Sequence, residues 1–196
     1  MSYEDVSNSD LVAVVTFLEM RESPELEIPP SPLSLRRVEA PQPADYRELF
    51  RAIGSRWLWF SRLTMPDADL AAIIQDPKVD LFTVDDETGR HVGMLELDYR
   101  EQGECELSFV GLIPEMSGQG HGRWLLAEAI SRSWREGVSR VHVHTCTLDH
   151  PAALGAYRRA GFVPYQRAIE RFPDPRSIGA LPRDCAPQVP LLGTLA

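Results

Sequence analysis

The sequence contains one lysine, Lys78, among its 20 basic residues. A Walker-type phosphate loop ends in Gly-Lys and is therefore excluded, and Schiff-base chemistry has only this single candidate. Basic charge is scarce in general, because 29 acidic residues give the chain a formal net charge of −9 at pH 7. A chain this acidic repels phosphate backbones, so we expect no nucleic-acid partner and a preference for cationic partners such as amines.

Cysteine and long apolar runs are scarce too. The three cysteines, Cys105, Cys146 and Cys185, are far apart and odd in number, which predicts free thiols rather than a disulfide framework. The longest apolar-leaning run, Leu11 to Phe17, is too short to cross a bilayer. The first ten residues also lack the basic and then apolar pattern of a secretory signal. These absences predict a cytoplasmic protein without a membrane segment.

The order of elements predicts a mixed α/β (α+β) fold, with one central sheet flanked by helices. Only the later strand–helix–strand units require parallel neighbours, so the sheet should be partly antiparallel. We divide the chain into an N-terminal extension (1–33), a main domain (34–172) and a proline-rich C-terminal tail (173–196). The predicted elements, in chain order, are a strand at 10–21, a strand at 34–40, a helix ending at Gly54, a helix at 67–75, a hairpin within 79–100, a strand at 104–113, a long helix ending at Gly137, a strand at 140–147, a helix at 150–160 and a last strand after Gly161.

Residues 117–123 read SGQGHGR and lie between a predicted strand and the long helix. Each glycine costs about 1 kcal/mol relative to alanine inside a helix, so three at alternate positions need a reason. A helix N-terminus offers unpaired N–H donors and a partial positive charge, and bare glycines let a phosphate reach them. The Rossmann spacing fails because Arg123 stands where its third glycine would be. This glycine bend predicts a site for a phosphate-bearing ligand; a tight packing turn is the alternative.

Residues 117–122 resemble the Gln/Arg-x-x-Gly-x-Gly/Ala signature of the GCN5-related N-acetyltransferase (GNAT) family. Residues 150–162 are similar to a second family signature, in which Asn is followed by Ala, Tyr and Gly-Phe. The order of elements over 34–172 is similar as well. The chain departs from the family pattern at Ser117, where Arg or Gln is usual, and at His150, where Asn is common.

The resemblance implies a GNAT-like fold with an extra N-terminal strand, and an N-acetyltransferase that uses acetyl-CoA as co-substrate. A small-molecule or peptide amine would attack acetyl-CoA directly. By position, the pyrophosphate would lie on the glycine bend and the pantetheine arm along the preceding strand. The residues assigned in this way are Leu112 for the pantetheine arm, and Gln119, Gly120, Gly122 and Arg123 for the pyrophosphate.

The resemblance also assigns catalytic roles. Tyr157 matches the general acid that protonates the departing sulfur. Glu106 stands at the offset of the general base in the histone-type members, and burial would raise its pKa and make it a better base. Glu96 is the next candidate, and water is a third. Trp57 and Trp59 lie in the loop that lines the acceptor site in the family, although such aromatics can equally belong to the core.

Two other functions compete with this one. His142, His144 and Cys146 alternate along one strand and share a face, which would suit the zinc of a metal-dependent hydrolase. Under the acetyltransferase assignment there is no metal. A non-catalytic acyl-CoA-binding module is the second alternative. We expect the strand at 10–21 to extend the sheet or to pair across a homodimer, and the tail to pack along the domain or a partner subunit.

Overall fold

The computed structural model describes residues 3–192, so the first two residues of the extension and the last four of the tail lie outside the described residues. Over this range the chain forms a seven-stranded mixed sheet flanked by helices, as predicted. The strands are β1 (Asp10–Met20), β2 (Ser34–Arg37), β3 (Val79–Asp85), β4 (His91–Asp98), β5 (Glu104–Leu112), β6 (Arg140–Cys146) and β7 (Val163–Pro173), and the helices are α1 (Pro43–Gly54), α2 (Ser61–Thr64), α3 (Asp67–Ile74), α4 (His121–Ser133) and α5 (Ala153–Arg159).

The strands follow the order β2-β3-β4-β5-β6-β1-β7 across the sheet. Within the described range, β5 and β6 are parallel and every other neighbouring pair is antiparallel. The prediction of a partly antiparallel sheet is therefore confirmed. The long helix α4 ends at Ser133, earlier than predicted, because Trp134 has an extended backbone conformation.

Strand β1 lies inside the sheet, between β6 and β7, rather than at an edge. Its register with β6 runs from Val15 opposite Cys146 to Met20 opposite Val141. Four of its apolar side chains are buried, which explains why a strand so rich in β-branched residues occupies an interior position. The extension thus shares one sheet with the main domain. Our division into an extension (1–33), a main domain (34–172) and a tail (173–196) is a proposal about which residues resemble the family.

Strands β5 and β6 separate soon after they begin to pair. Their ladder covers only Glu104–Glu106 and Arg140–His142. On its other side, β5 has an irregularity in its pairing with β4, where Glu96 lies opposite Phe109 and the next residue lies opposite Leu107. Such an extra residue bends a strand and ends regular pairing. The separation opens a wedge between β5 and β6.

The tail folds back on the domain after β7. A buried ion pair between Asp174 and Arg176 starts it, at 2.7 Å, and Arg176 also donates a hydrogen bond to the carbonyl of Val189 at 2.8 Å. Leu181 of the tail packs with Leu58, from the loop between α1 and α2, in a second apolar cluster. The tail therefore packs against that loop. None of the helices formed by residues 3–192 has the length and apolar character that crossing a bilayer requires.

Candidate functional site

A cavity of about 900 Å³ occupies the wedge between β5 and β6. This volume lies within the range of ligand pockets, about 300–1,000 Å³. Two ends of the cavity differ in chemistry. We call the part formed by Gly118, Gly120, Gly122 and Arg123 the glycine-bend end. The other part, which we call the aromatic end, is lined by Trp57, Trp59, Phe60 and Phe172, together with the carboxylates of Glu27, Asp149 and Glu170.

The glycine-bend end is built from backbone. Gly118 and Gly120 have φ angles of +78° and +83°, in the left-handed region that favours glycine. Gly122 does not need such freedom, yet a Cβ at any of the three would meet no atom within 4 Å. Helix α4 starts here without a side-chain cap and without an acidic residue in its first turn. Its first N–H groups are therefore available to an anion, apart from that of Arg123, which donates to the carbonyl of Gly120 at 3.1 Å.

Four of the five residues predicted to hold acetyl-CoA fit that group. Leu112, Gly120, Gly122 and Arg123 all line the cavity. Gln119 does not, because its side-chain amide turns back and donates a hydrogen bond to the carbonyl of Glu115 at 3.0 Å. The empty space in front of the glycines and the uncapped helix end match a phosphate-bearing ligand, which leaves the tight-turn alternative without an explanation for Gly122.

Tyr157 lines the cavity from α5. Within residues 3–192 its hydroxyl has no hydrogen-bond partner, and its ring packs edge-on against Phe162 at 5.9 Å between centroids. Burial, and then the negative charge of Asp149, raise the pKa of Tyr157 well above its usual value. The phenol therefore keeps its proton at neutral pH, as a proton donor in the cavity must.

The expectation of a raised pKa at Glu106 is wrong. Its carboxylate lies 3.3 Å from Nδ1 of His144, on the neighbouring parallel strand, and this contact lowers the pKa of Glu106 in spite of partial burial. Glu106 also lies outside the set of residues that line the cavity. A carboxylate held in its ionised form is a weaker base than the one predicted.

Glu96, the second candidate base, is fully buried and away from the cavity. The hydroxyl of Tyr46 donates to its carboxylate at 2.5 Å and Arg62 donates at 2.7 Å. Burial raises the pKa of Glu96, although the charge of Arg62 opposes the shift. This buried cluster ties α1 and α2 to β4.

Trp57 and Trp59 both line the cavity, at its aromatic end. The indole N–H of Trp59 donates to Asp149 at 3.0 Å, and its ring packs between Phe50 and Phe109. Trp57 packs edge-on against His150 and has fewer constraints. Trp59 thus belongs to the core as well as to the cavity wall. Both alternatives that the sequence left open, a core residue and a residue beside the acceptor, therefore apply to it.

The predicted zinc face does not form a metal site. His142 and His144 each pair with a carboxylate of β5, Glu104 and Glu106. Burial raises the pKa of the Cys146 thiol to about 11. Among residues 3–192 no group of three or more His, Cys, Asp or Glu side chains is arranged to hold a metal ion.

Several residues of the cavity were missed by the sequence analysis. Glu27 comes from the proline-rich link, and Glu170 and Phe172 come from β7. Asp149 accepts hydrogen bonds from the Trp59 indole and from the Thr145 hydroxyl, which fixes the loop after β6. None of these residues belongs to a local motif, because they meet only through the sheet order.

Comparisons with known proteins agree with this geometry. A family model described as acetyltransferase (GNAT) family matches residues 45–162. A GCN5-related N-acetyltransferase from Sphaerobacter thermophilus superposes with a TM-score of 0.62 at 21% identity, over 83% of this chain and 52% of that chain. A GCN5-related N-acetyltransferase from Kribbella flavida superposes with a TM-score of 0.53 at 17% identity, over 85% of this chain and 60% of that chain. At such identities the likeness shows the fold. No curated protein matches the chain in sequence. The chain spans about half to two thirds of the length of the first matched structures.

Proposed function

The chain belongs to the acetyltransferase (GNAT) family, and from that premise we propose that it transfers an acetyl group from acetyl-CoA to an amine. The observation that carries the proposal is the uncapped start of α4, with three glycines that leave open space, in the same cavity as Tyr157. A phosphate-binding end and a proton donor in one cavity of suitable size are what such a transfer needs.

The glycine-bend end would hold the pyrophosphate of acetyl-CoA. The backbone N–H groups of Gly120 and Gly122 would donate to it, helped by the positive end of α4. Gln119 lies outside the cavity wall and the N–H of Arg123 already donates to the carbonyl of Gly120 at 3.1 Å, so neither N–H is assigned to the pyrophosphate. Leu112, on β5 beyond its last pairing with β6, would contact the pantetheine arm. When bound, acetyl-CoA supplies a thioester carbonyl that an amine can attack.

Tyr157 would give its proton to the departing sulfur. Its raised pKa keeps the hydroxyl protonated before the reaction, and the lack of a protein partner leaves the hydroxyl free to donate. Glu106 would take part in removing the proton of the acceptor amine. Because Glu106 lies outside the cavity wall, a group between it and the acceptor is needed to receive the proton.

We propose an acceptor that combines an ammonium group with an apolar or aromatic body. The aromatic end offers the rings of Trp57 and Phe60 beside the carboxylates of Glu27 and Glu170. Carboxylates attract an ammonium, and aromatic faces attract both cations and apolar groups. Small-molecule and peptide amines both meet this description. A cytoplasmic location remains a proposal, supported by the free thiols of the three cysteines.

The test is a thermal-shift titration followed by an amine screen. Acetyl-CoA and free CoA should both stabilise the protein, by about 2.7 kcal/mol at a hundred times the Kd, whereas zinc with a chelator control should not. Thiol release from acetyl-CoA should then depend on an added amine. Stabilisation without amine-dependent thiol release over a broad panel would favour the non-catalytic binding module. Failure of acetyl-CoA to stabilise the protein would refute the proposal.

A further inference from the structure

His144 stands where β5 and β6 separate. The last residue of β6 that pairs with β5 is His142, opposite Glu106, and two positions later His144 lines the cavity. About half of its side chain is exposed, 49%, so a molecule bound in the cavity can reach the imidazole. Tyr157 lines the same cavity from α5. The cavity therefore carries a titratable group that can accept a proton as well as one that can donate it.

The contact with Glu106 fixes the proton of His144. Nδ1 of the imidazole lies 3.3 Å from the carboxylate, which favours the tautomer with its proton on Nδ1. The lone pair then lies on Nε2, which is the nitrogen left for a ligand. Glu106 itself does not line the cavity. A proton that leaves a bound ammonium would therefore reach His144 and not Glu106.

The charges around His144 suit a base that works near neutral pH. Glu106 comes from β5, Asp149 from the loop after β6, and Glu170 from β7, and all three raise the pKa of His144 above 6.5 against the opposing effect of burial. His142, the other titratable group on this part of β6, has its pKa lowered by burial. Strand β1 contributes the uncharged ring of Phe17, at 5.8 Å between centroids.

We infer that His144 is the catalytic base of the acetyl transfer and that Glu106 is a positioning residue that acts through it. The inference rests on the proposed function. An ammonium loses two protons when it becomes an amide N–H. Nε2 of His144 takes the first and later releases it to solvent. The nitrogen then bonds to the thioester carbon, the C–S bond breaks, the sulfur takes a proton from Tyr157, and the second nitrogen proton restores the phenol.

Two acceptors with different basicity test the role of His144. 2-Phenylethylamine is protonated at neutral pH and needs a base, whereas aniline is already unprotonated. We expect His144→Gln to lower kcat/KM for 2-phenylethylamine about 10²-fold or more, in the range of general base catalysis, with a much smaller effect for aniline. His142→Gln is the matched control, because His142 also pairs with a β5 carboxylate but lies outside the cavity wall.

A pH profile tests the role of Glu106. Because the Glu106 carboxylate raises the pKa of His144, kcat/KM for 2-phenylethylamine should rise with pH through that pKa, and Glu106→Gln should move the rise to lower pH. In His144→Gln the rise should be displaced to the pKa of the amine, about 10, so the deficit relative to the wild type should shrink as the pH approaches that value. A merely structural role for Glu106 would leave the position of the rise unchanged.

NMR of the histidine ring gives a measurement that needs no acceptor. Above the pKa of His144 the free enzyme should show the ring as the Nδ1–H tautomer, and that pKa should fall in Glu106→Gln and stay the same in Glu104→Gln. If acetyl-CoA binds but neither amine reacts, the proposed transfer fails for these amines. The NMR result then still tests whether Glu106 sets the tautomer and the pKa of His144. Equal losses for both amines in His144→Gln, full activity of that variant, or an Nε2–H tautomer would overturn the inference.

Discussion

The two ends of the cavity are built in different ways. The glycine-bend end is made by one continuous segment, residues 117–123, whose backbone forms the binding surface. The aromatic end is made by side chains from four separate parts of the chain: the link before β2, the loop between α1 and α2, the loop after β6, and β7. A backbone site tolerates changes in its neighbours, whereas a site of side chains depends on each segment that supplies one. We therefore expect co-substrate binding and acceptor binding to respond to different substitutions.

The largest effect should come from closing the glycine-bend end. Gly120→Val puts a branched side chain where φ is +83° and where a phosphate would lie, so stabilisation by acetyl-CoA should be lost. Gly89→Val is the matched control. Gly89 has a φ of +82° with equally open space, but it lies in the β3–β4 turn. Both variants should lose similar stability in thermal unfolding without ligand. Retention of acetyl-CoA binding by Gly120→Val would mean that the bend is only a turn.

Removing the hydroxyl of Tyr157 should affect catalysis alone. Tyr157→Phe keeps the ring and its packing against Phe162, so stability and acetyl-CoA affinity should stay as they are. We expect kcat to fall about 10²-fold, because the departing sulfur loses its proton donor. Steady-state thiol release and a thermal-shift titration measure the two quantities. A variant with wild-type kcat would show that solvent protonates the sulfur.

The two tryptophans should separate acceptor binding from folding. Trp59→Ala removes a ring that packs against Phe50 and Phe109, and it should lower the free energy of unfolding by about 3–5 kcal/mol. Trp57→Ala should leave stability nearly unchanged and raise the KM of the acceptor a few-fold, while the KM of acetyl-CoA stays constant. Denaturant unfolding and two-substrate kinetics check both results. A change in the acetyl-CoA KM would contradict the independence of the two ends.

Chelation should have the smallest effect. Among residues 3–192 no three His, Cys, Asp or Glu side chains are arranged to hold a metal ion, and the histidines of the predicted zinc face pair with carboxylates of β5. Prolonged treatment with EDTA should therefore leave thiol release and thermal stability unchanged, with restoration by added zinc as the control. A loss of activity that zinc restores would bring back the metal hypothesis.

The sequence predicted the parts of the molecule that depend on short stretches of chain. The glycine bend, the start of the helix that follows it and the position of Tyr157 on the next helix are local, and the structure has them where predicted, although α4 ends at Ser133. The pKa of Glu106 was mispredicted because its partner, His144, lies on another strand, and periodicity says nothing about neighbours across a sheet. The contributions of Glu27 and Glu170 were missed for the same reason.

The interior position of β1 has a consequence for synthesis. β1 leaves the ribosome before its neighbours β6 and β7, which begin about 120 and 140 residues after β1 ends. At about 5–20 residues per second, this segment waits on the order of ten seconds before either partner exists. During that interval its N–H and C=O groups are unpaired and its apolar side chains are not packed. Strands in this state are prone to aggregate. The sheet is complete only after β7 is made, so the nascent chain must keep β1 from aggregating until then.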